Sequence, residues 1–359
     1  MIHSLVMKRA VTQTKKFIET NNRFIMPAVL LLGFIVDYFT FNRVDQLFDN
    51  LVLLAYVILA AGSLVALYGT KTSARIARIA PFTFQYAIGG LFSGLFIFYF
   101  RSGSISVSFP FLIVLFVLML GSDYFYKRFP KASFQLVVFY VALISYANLV
   151  VPTFTKHMSL WTFVGATLLS GAVMYGFVSL LDRPQSLIRG VHRTQVERRL
   201  IATTIIFALL YVTNIIPPIP LSMKAGIVGY GITRTSDSGY YVSAEEAPWY
   251  LPFSTHGTTL HTRGPVYAFT SIFAPTELET TIIHEWQRFD DTEGWVTTSR
   301  IPMNITGGRE DGFRGYSLSN NLTPGSWRVT VRTSRGQVVG RIRFEISEDQ
   351  TQKRTSVVY

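Results

Sequence analysis

The chain of 359 residues contains no cysteine. Disulfide bonds, thiolate catalysis and thiolate metal sites are therefore excluded. Histidine is also scarce, and all six residues fall outside the long apolar runs described below, at His3, His157, His192, His256, His261 and His284. Haem ligation and histidine-based metal sites are thus not expected within those runs, and the sequence predicts no cofactor.

Long apolar runs are abundant, and most approach the roughly 20 residues that a bilayer-spanning helix needs. There are seven: Phe24–Thr40, Leu51–Gly69, Pro81–Phe100, Phe109–Tyr124, Phe134–Val151, Leu160–Leu181 and Leu200–Pro218. The last run contains no lysine, which excludes a retinal Schiff base there. The sequence predicts a membrane α-helical bundle of about seven transmembrane helices over residues 24–219, preceded by a basic tail, residues 1–23.

The distribution of lysine and arginine between the runs predicts the topology. Alternate segments, beginning with the tail, hold 16 of these residues, whereas the intervening segments hold 3. Because cytoplasmic segments retain positive charge, we expect the N-terminus inside. An odd number of crossings then places everything after Pro218 outside. The tail lacks a cleavable signal pattern, so the first helix is expected to be a retained anchor.

The net charge of +12 arises entirely before residue 220, because the later part holds 14 basic and 14 acidic residues. The excess of lysine and arginine therefore indicates the membrane topology. It does not indicate a nucleic-acid partner, and none is expected. Membrane lipids are expected partners. The tail is compatible with an amphipathic helix on the anionic inner surface or with a plain solvated segment.

After the last apolar run the composition changes. Residues 220–264 are rich in Gly, Ser, Thr and Tyr and are interpreted as a linker, followed from Val266 by the alternation typical of half-buried strands. The alternation is clearest on both sides of Gly336, where a hairpin is predicted. Six or seven short strands predict a small antiparallel β-sandwich of immunoglobulin-like proportions over residues 265–348, with a tail at 349–359.

A handful of positions in this region carry a family resemblance: His284-x-Trp286, Arg314-Gly315-Tyr316-Ser317, and Pro324 to Val329 before the hairpin. Their order and spacing over Val266–Ile346 resemble the bacterial module known as domain of unknown function 2914, DUF2914. The preceding membrane region is similar to that of some members. The resemblance implies a bacterial inner-membrane protein with a periplasmic β-domain, and it implies no activity.

Two sets of residues are candidates for a site. Arg328, Arg332, Arg341 and Arg343 alternate with apolar residues on the hairpin and are predicted to share one face, where they either bind carboxylates or phosphates or are simply solvated. The second set, ligand-reading or structural, comprises His284, Trp286, Arg314 and Trp327. His284-Glu285 resembles the start of a zinc-protease motif, but Arg288 replaces its second histidine, so no metal site is predicted.

The leading hypothesis is a non-enzymatic protein that presents its β-domain as a binding or assembly module. It would be an accessory subunit of a membrane or envelope complex, with a membrane or periplasmic partner that is possibly acidic. One alternative is a transporter or channel component with Asp37 and Asp123 near the path, although both carboxylates lie close to predicted membrane boundaries. A second alternative is an envelope enzyme acting on glycan or lipid.

Overall fold

The structure is a computed structural model. It describes residues 31–69, 72–121, 132–182, 193–234, 239–245, 258–262, 264–308, 311–320, 322–347 and 354–358. The predicted basic tail, residues 1–23, lies outside the described residues, and so does Asp123. The described residues contain seven helices followed by a region rich in β-strands.

Each predicted apolar run coincides with a helix. The helices are α1 (Leu31–Thr40), α2 (Leu47–Tyr68), α3 (Ala74–Arg101), α4 (Ile105–Leu120), α5 (Ala132–Thr155), α6 (Leu160–Leu181) and α7 (Arg193–Val212). Four of them, α2, α3, α5 and α6, are long and apolar enough to cross a membrane. The charged first turns of α7 reduce its mean hydropathy. These four candidate spans are consistent with a membrane protein.

The last helix ends earlier than the sequence predicted, at Val212 instead of Pro218. Asn214 has a φ of 57°, the left-handed conformation that commonly ends a helix. The backbone N–H groups of Ile215 and Ile216 both donate to the carbonyl of Leu210, at 2.9 and 3.2 Å. Two prolines follow at once, and proline cannot donate the next helical hydrogen bond.

The described residues form two compact units. The first contains residues up to Ile97, Ile113–Tyr146 and Leu169–Thr204, and the second contains Phe98–Leu112, Ala147–Leu168 and everything from Ile205 onward. Within the first unit, small residues allow α2 and α3 to approach closely, as their composition suggests. A Cβ added to Gly90 would lie 2.6 Å from Cζ of Tyr56. A larger residue at position 90 would therefore push the helices apart.

The second unit contains all the described strands, which form three sheets. The strands are β1 (Ser222–Gly229), β2 (Gly231–Arg234), β3 (Tyr240–Glu245), β4 (Thr258–His261), β5 (Val266–Phe273), β6 (Glu279–Asp290), β7 (Gly294–Thr306), β8 (Phe313–Ser319), β9 (Gly325–Thr333), β10 (Val338–Ser347) and β11 (Arg354–Val358). The sheet orders are β4-β10-β9-β6-β7, β1-β5-β8 and β11-β3-β2. Every pairing is antiparallel except β10 with β4.

The β-region is larger than the sequence predicted. Strands β1 to β4 lie within the segment interpreted as a linker, and β11 lies within the segment interpreted as a tail. Strand β5 also differs from expectation, because it is buried on both faces instead of one. Ala268 contributes to the core shared with the five-stranded sheet, whereas its neighbour Phe269 packs with Val242 and Ala244 of β3. The sheet β1-β5-β8, which we call the inner sheet, thus lies between the five-stranded sheet and the sheet β11-β3-β2.

The largest buried rings of the β-region lie between the five-stranded and the inner sheet. Trp286 is completely buried and Trp327 is 4% exposed. The ring of Trp286 meets Phe344 edge to face at 6.1 Å between centroids. Val329 and Ile342 complete this core from the same two hairpin strands. The predicted inward face of the hairpin is therefore confirmed.

Candidate functional site

The four hairpin arginines share the outer face of the five-stranded sheet, which we call the arginine face. Inward-pointing Trp327, Val329 and Val331 are buried, so the alternate residues of β9 project outward. Arg328 lies directly opposite Arg343 of β10. Arg332 and Arg341 lie on the same face, one on each strand, so the structure brings the four predicted residues together.

Arg328 occupies the middle of this face. Its guanidinium carbon lies 4.2 Å from the ring centroid of Trp295, a cation–π geometry. Its Nε donates to Oε1 of Gln287 at 2.7 Å. Burial, followed by the charges of Arg341, Arg343 and Arg332, lowers the pKa of Arg328 to about 10. The neighbouring arginines therefore repel one another, and an anion would relieve that repulsion.

Glu285 is a buried carboxylate at the same face, on β6. Its side chain is 5% exposed and forms ion pairs with Arg300 at 2.9 Å and Arg332 at 2.6 Å. Burial by itself raises the pKa of this carboxyl, but hydrogen bonds from Arg300 and Thr297 and the charge of Arg332 together hold it below its usual value. Glu285 therefore stays ionised at neutral pH and holds Arg332 in position.

A chain of neutral hydrogen bonds extends this network across three strands. Gln287 donates through Nε2 to Thr297 at 3.2 Å, and Thr297 donates to Glu285 at 3.1 Å. Thr330 donates to the same Gln287 oxygen that receives Arg328, at 3.0 Å. These contacts fix the side chains beneath the arginines, so the charged surface is preorganised.

The arginine face carries an excess of positive charge. On the described strands of this sheet, the outward positions hold five arginines, Arg300 among them, and three carboxylates, Glu279, Glu285 and Glu345. The local imbalance exists although the whole external part is electrically neutral. Guanidinium groups in this arrangement match carboxylate or phosphate oxygens of a partner.

The second candidate set lies elsewhere. His284 is completely buried between two sheets, with Nε2 2.9 Å from Oγ1 of Thr270 and Nδ1 2.8 Å from Oγ of Ser317. Trp286 donates to the same Ser317 hydroxyl at 3.0 Å. Desolvation by burial lowers the pKa of His284 to about 4, so the imidazole is neutral. These contacts match the structural alternative for both residues.

Trp327 and Arg314 are also separate from the arginine face. Trp327 belongs to the core and donates through Nε1 to the carbonyl of Thr323 at 2.8 Å. Arg314 lies on β8 of the inner sheet and contacts Asp311 at 3.3 Å. None of these four residues, Trp327, Arg314, His284 and Trp286, lies on the arginine face. The described residues hold no group of three or more potential metal ligands.

In the helical region, Asp37 of α1 accepts a hydrogen bond from the Ser93 hydroxyl of α3 at 2.6 Å. The contact satisfies one oxygen of the carboxylate and links two helices of the first unit. Asp123, the other carboxylate of the transport alternative, lies outside the described residues. A path that includes both carboxylates stays a prediction.

Sequence reasoning missed several members of the network. Glu285, Gln287, Thr297 and Trp295 lie under or beside the arginines, but β6 and β7 reach β9 only through the sheet register. The alternation of β6 was a usable signal, because it places Glu285 and Gln287 on the face opposite His284 and Trp286. Their distance from the hairpin in sequence concealed the contact.

The fold and the site thus define a chain with candidate membrane spans followed by a β-rich region that has a cationic face. Residues 279–346 match the protein family described as Protein of unknown function (DUF2914). The match confirms the resemblance over the C-terminal module. It begins at Glu279, the start of β6, and not at Val266.

A comparison with curated proteins found no match. Among solved structures, one similar chain is the Pseudomonas fluorescens alkylpurine DNA glycosylase AlkC bound to DNA containing an abasic site analog. The identity is 9%, the match covers 85% of this chain and 99% of that chain, and the TM-score is 0.22. A TM-score this low does not indicate a shared fold.

Proposed function

We propose that this chain is a non-enzymatic protein of the bacterial inner membrane that binds an acidic protein partner through the arginine face of a periplasmic domain. All seven helices cross the membrane, with the N-terminus in the cytoplasm. The five-stranded and inner sheets form a sandwich of immunoglobulin-like proportions. The protein serves as an accessory subunit of a membrane or envelope complex.

The observation that carries this proposal is the preorganised excess of arginine. Five guanidinium groups share one sheet face, and buried Glu285 and Gln287 hold three of them, those of Arg300, Arg332 and Arg328. Burial and the neighbouring arginines lower the pKa of Arg328 to about 10. A solvated strand face has no need of a buried carboxylate that fixes its arginines. A partner that supplies carboxylates would gain charge-assisted hydrogen bonds without first ordering these side chains.

The arginines differ in their contacts with buried Glu285, and this difference decides which of them to replace in a test of binding. Arg332 is ion-paired with buried Glu285, and removing one partner of a buried pair is strongly destabilising. Arg341 and Arg343 lie on β10, separated from Glu285 by strand β9. The double variant Arg341→Gln, Arg343→Gln is therefore the sharper test of binding.

The experiment is purification of the full chain in mild detergent, with its complex identified by mass spectrometry. The double variant should keep the thermal stability of the native protein and lose at least about tenfold in association, with a weaker dependence on salt. The matched control is Arg234→Gln, Arg288→Gln, two exposed arginines outside the arginine face. If the double variant associates as well as the control does, the arginine face is not the partner surface.

A further inference from the structure

The second unit contains a cleft that the arginine face does not use. It is open to solvent and lies between the ends of four helices and the β9–β10 hairpin. Its lining includes Tyr99 of α3, Asn148 of α5, Phe163 of α6, Tyr211 of α7 and Arg335 of the hairpin. All of these belong to the second unit.

Arg335 gives the cleft its charge. Of the described residues that line the cleft, it alone is charged. Its guanidinium carbon lies 4.1 Å from the ring centroid of Tyr211, and its Nη1 donates to the Tyr211 hydroxyl. A guanidinium has five N–H groups in a fixed fork, so this contact orients Arg335 and leaves donors for an anion.

The surroundings of Arg335 are held firmly. The Tyr211 ring stacks on Phe163 with 3.5 Å between centroids and 3° between planes. The Tyr211 hydroxyl donates to the carbonyl of Ser159 at 3.4 Å, and Asn214 donates through Nδ2 to the carbonyl of Arg335 at 3.5 Å. The hairpin is thereby fixed against the helix ends, and the cleft is built before a ligand arrives.

The rest of the lining combines polar and apolar groups. Asn148, Thr162 and Ser334 offer an amide and hydroxyls, while Met158 and Phe163 offer apolar surface. A single positive charge, neutral polar groups and an apolar side suit a ligand that has an anionic head and a hydrophobic part. They do not suit a cation.

Two exposed aromatic side chains lie close to this cleft in the sequence. Trp161 is 80% exposed and Phe154 is 60% exposed, and both are close in sequence to residues that line the cleft. Large rings of this kind are enriched where a bilayer meets water. The helix ends that form the cleft are also those predicted to lie on the outer side.

We propose that this cleft binds the phosphate headgroup of an anionic phospholipid from the outer leaflet, with Arg335 as the phosphate contact. The inference rests on the topology in the proposed function, but not on the arginine face. The hydroxyls of Thr162 and Ser334, which also line the cleft, would meet the glycerol or headgroup hydroxyls, and the acyl chains would extend into the bilayer. The bound lipid would join the hairpin of the β-domain to the helix ends.

The test is native mass spectrometry of the full chain released from bilayer nanodiscs that contain phosphatidylglycerol or phosphatidylcholine. The native protein should retain phosphatidylglycerol in preference to phosphatidylcholine. Arg335→Gln should reduce the retained phosphatidylglycerol at least about tenfold, since a charge-assisted contact is lost. Arg335→Lys should restore part of it, and Arg234→Gln, outside the cleft, should behave as native.

Three results would overturn the proposal: equal retention of both lipids by the native protein, undiminished retention by Arg335→Gln, or displacement of phosphatidylglycerol by millimolar inorganic phosphate. The last result would assign the cleft to free phosphate. The first and third need only the native protein, so they apply even if Arg335→Gln fails to fold. The Arg341→Gln, Arg343→Gln variant should lose partner association but retain phosphatidylglycerol. This result would show that the arginine face and the cleft are separate sites.

Discussion

Two candidate spans, α2 and α6, place their apolar side chains differently from the β-region, whereas α3 and α5 are 67% buried over their most apolar windows. In α2 and α6, only 22% and 33% of the most apolar window is buried, and large side chains such as Trp161 point outward. In the β-region, Trp286 and Trp327 are buried and the arginines point outward. The difference is consistent with lipid around the candidate spans and water around the β-region, because apolar side chains avoid water in both cases.

The two regions also differ in how they treat polar groups. In the described helical region, several hydroxyls donate to the carbonyl four residues earlier, as Ser102 does to Phe98, and links such as Ser93 to Asp37 join pairs of helices. The β-region contains connected networks, one buried around His284 and one around Glu285. Networks of this kind hold side chains in one arrangement, which is what a recognition surface needs.

The strongest test of this comparison is topological. In the proposed topology, a reporter fused after Tyr359 should be active only outside the cytoplasm, because the charge bias of 16 to 3 predicts a cytoplasmic N-terminus and seven crossings would place the C-terminal region outside. The effect is all or none, and a matched fusion before Phe24 should give the opposite signal. Cytoplasmic activity after Tyr359 would mean that one helix does not cross, and that the β-region faces the cytoplasm.

A second test makes the same substitution in both regions. Trp286→Ala should cost about 3–5 kcal/mol of folding free energy, because a fully buried ring and its hydrogen bond to Ser317 are lost. Trp161→Ala should leave the stability of the β-region unchanged, because that ring is 80% exposed. Thermal unfolding in detergent, followed by near-ultraviolet circular dichroism, measures both. If both substitutions lowered the unfolding midpoint of the β-region equally, the contrast between a buried Trp286 and an outward-facing Trp161 would be wrong.

The third test concerns pH and is expected to be somewhat smaller. The pKa of His284 is about 4 in the folded protein and 6.5 when unperturbed, so the unfolded chain binds a proton first. The stability associated with neutral His284 is complete above pH 6.5 and declines as the pH falls toward 4, by roughly 3 kcal/mol in total.

The readout is the unfolding midpoint between pH 6.5 and pH 5.5, where the unfolded chain begins to protonate His284 and carboxyl groups remain largely ionised. His284→Gln should flatten this dependence, whereas Trp161→Ala should keep it. A native protein whose midpoint does not change over this interval would show that His284 is not buried in neutral form.

The sequence predicted much of each region, for different reasons. Apolar length located all seven helices, because a span needs a continuous run whatever it packs against. Alternation predicted strands where β6 to β10 lie, since a strand with one wet face must alternate. It also predicted a strand at β5, but that strand is buried on both faces. It failed for β1 to β4, where glycine-rich and serine-rich segments become strands only by pairing with partners distant in the sequence.

In the candidate site, too, local sequence predicted some features, whereas others depend on contacts between distant parts of the chain. Alternation on a hairpin was sufficient to place Arg328, Arg332, Arg341 and Arg343 on one face. It could not show that Glu285 and Gln287 of β6 lie beside them, because that contact depends on the register of β6 against β9. It also could not show that Arg335 meets Tyr211, which is 124 positions away in the chain.

By itself, the sequence determined the helices, the charge bias and the alternating faces of the hairpin, because each depends on neighbours a few residues apart. The tertiary structure decided the three-sheet arrangement, the neutral buried state of His284, the fixing of the arginines by Glu285 and the cleft around Arg335. These features depend on strand register and on the meeting of distant elements, which local patterns do not encode.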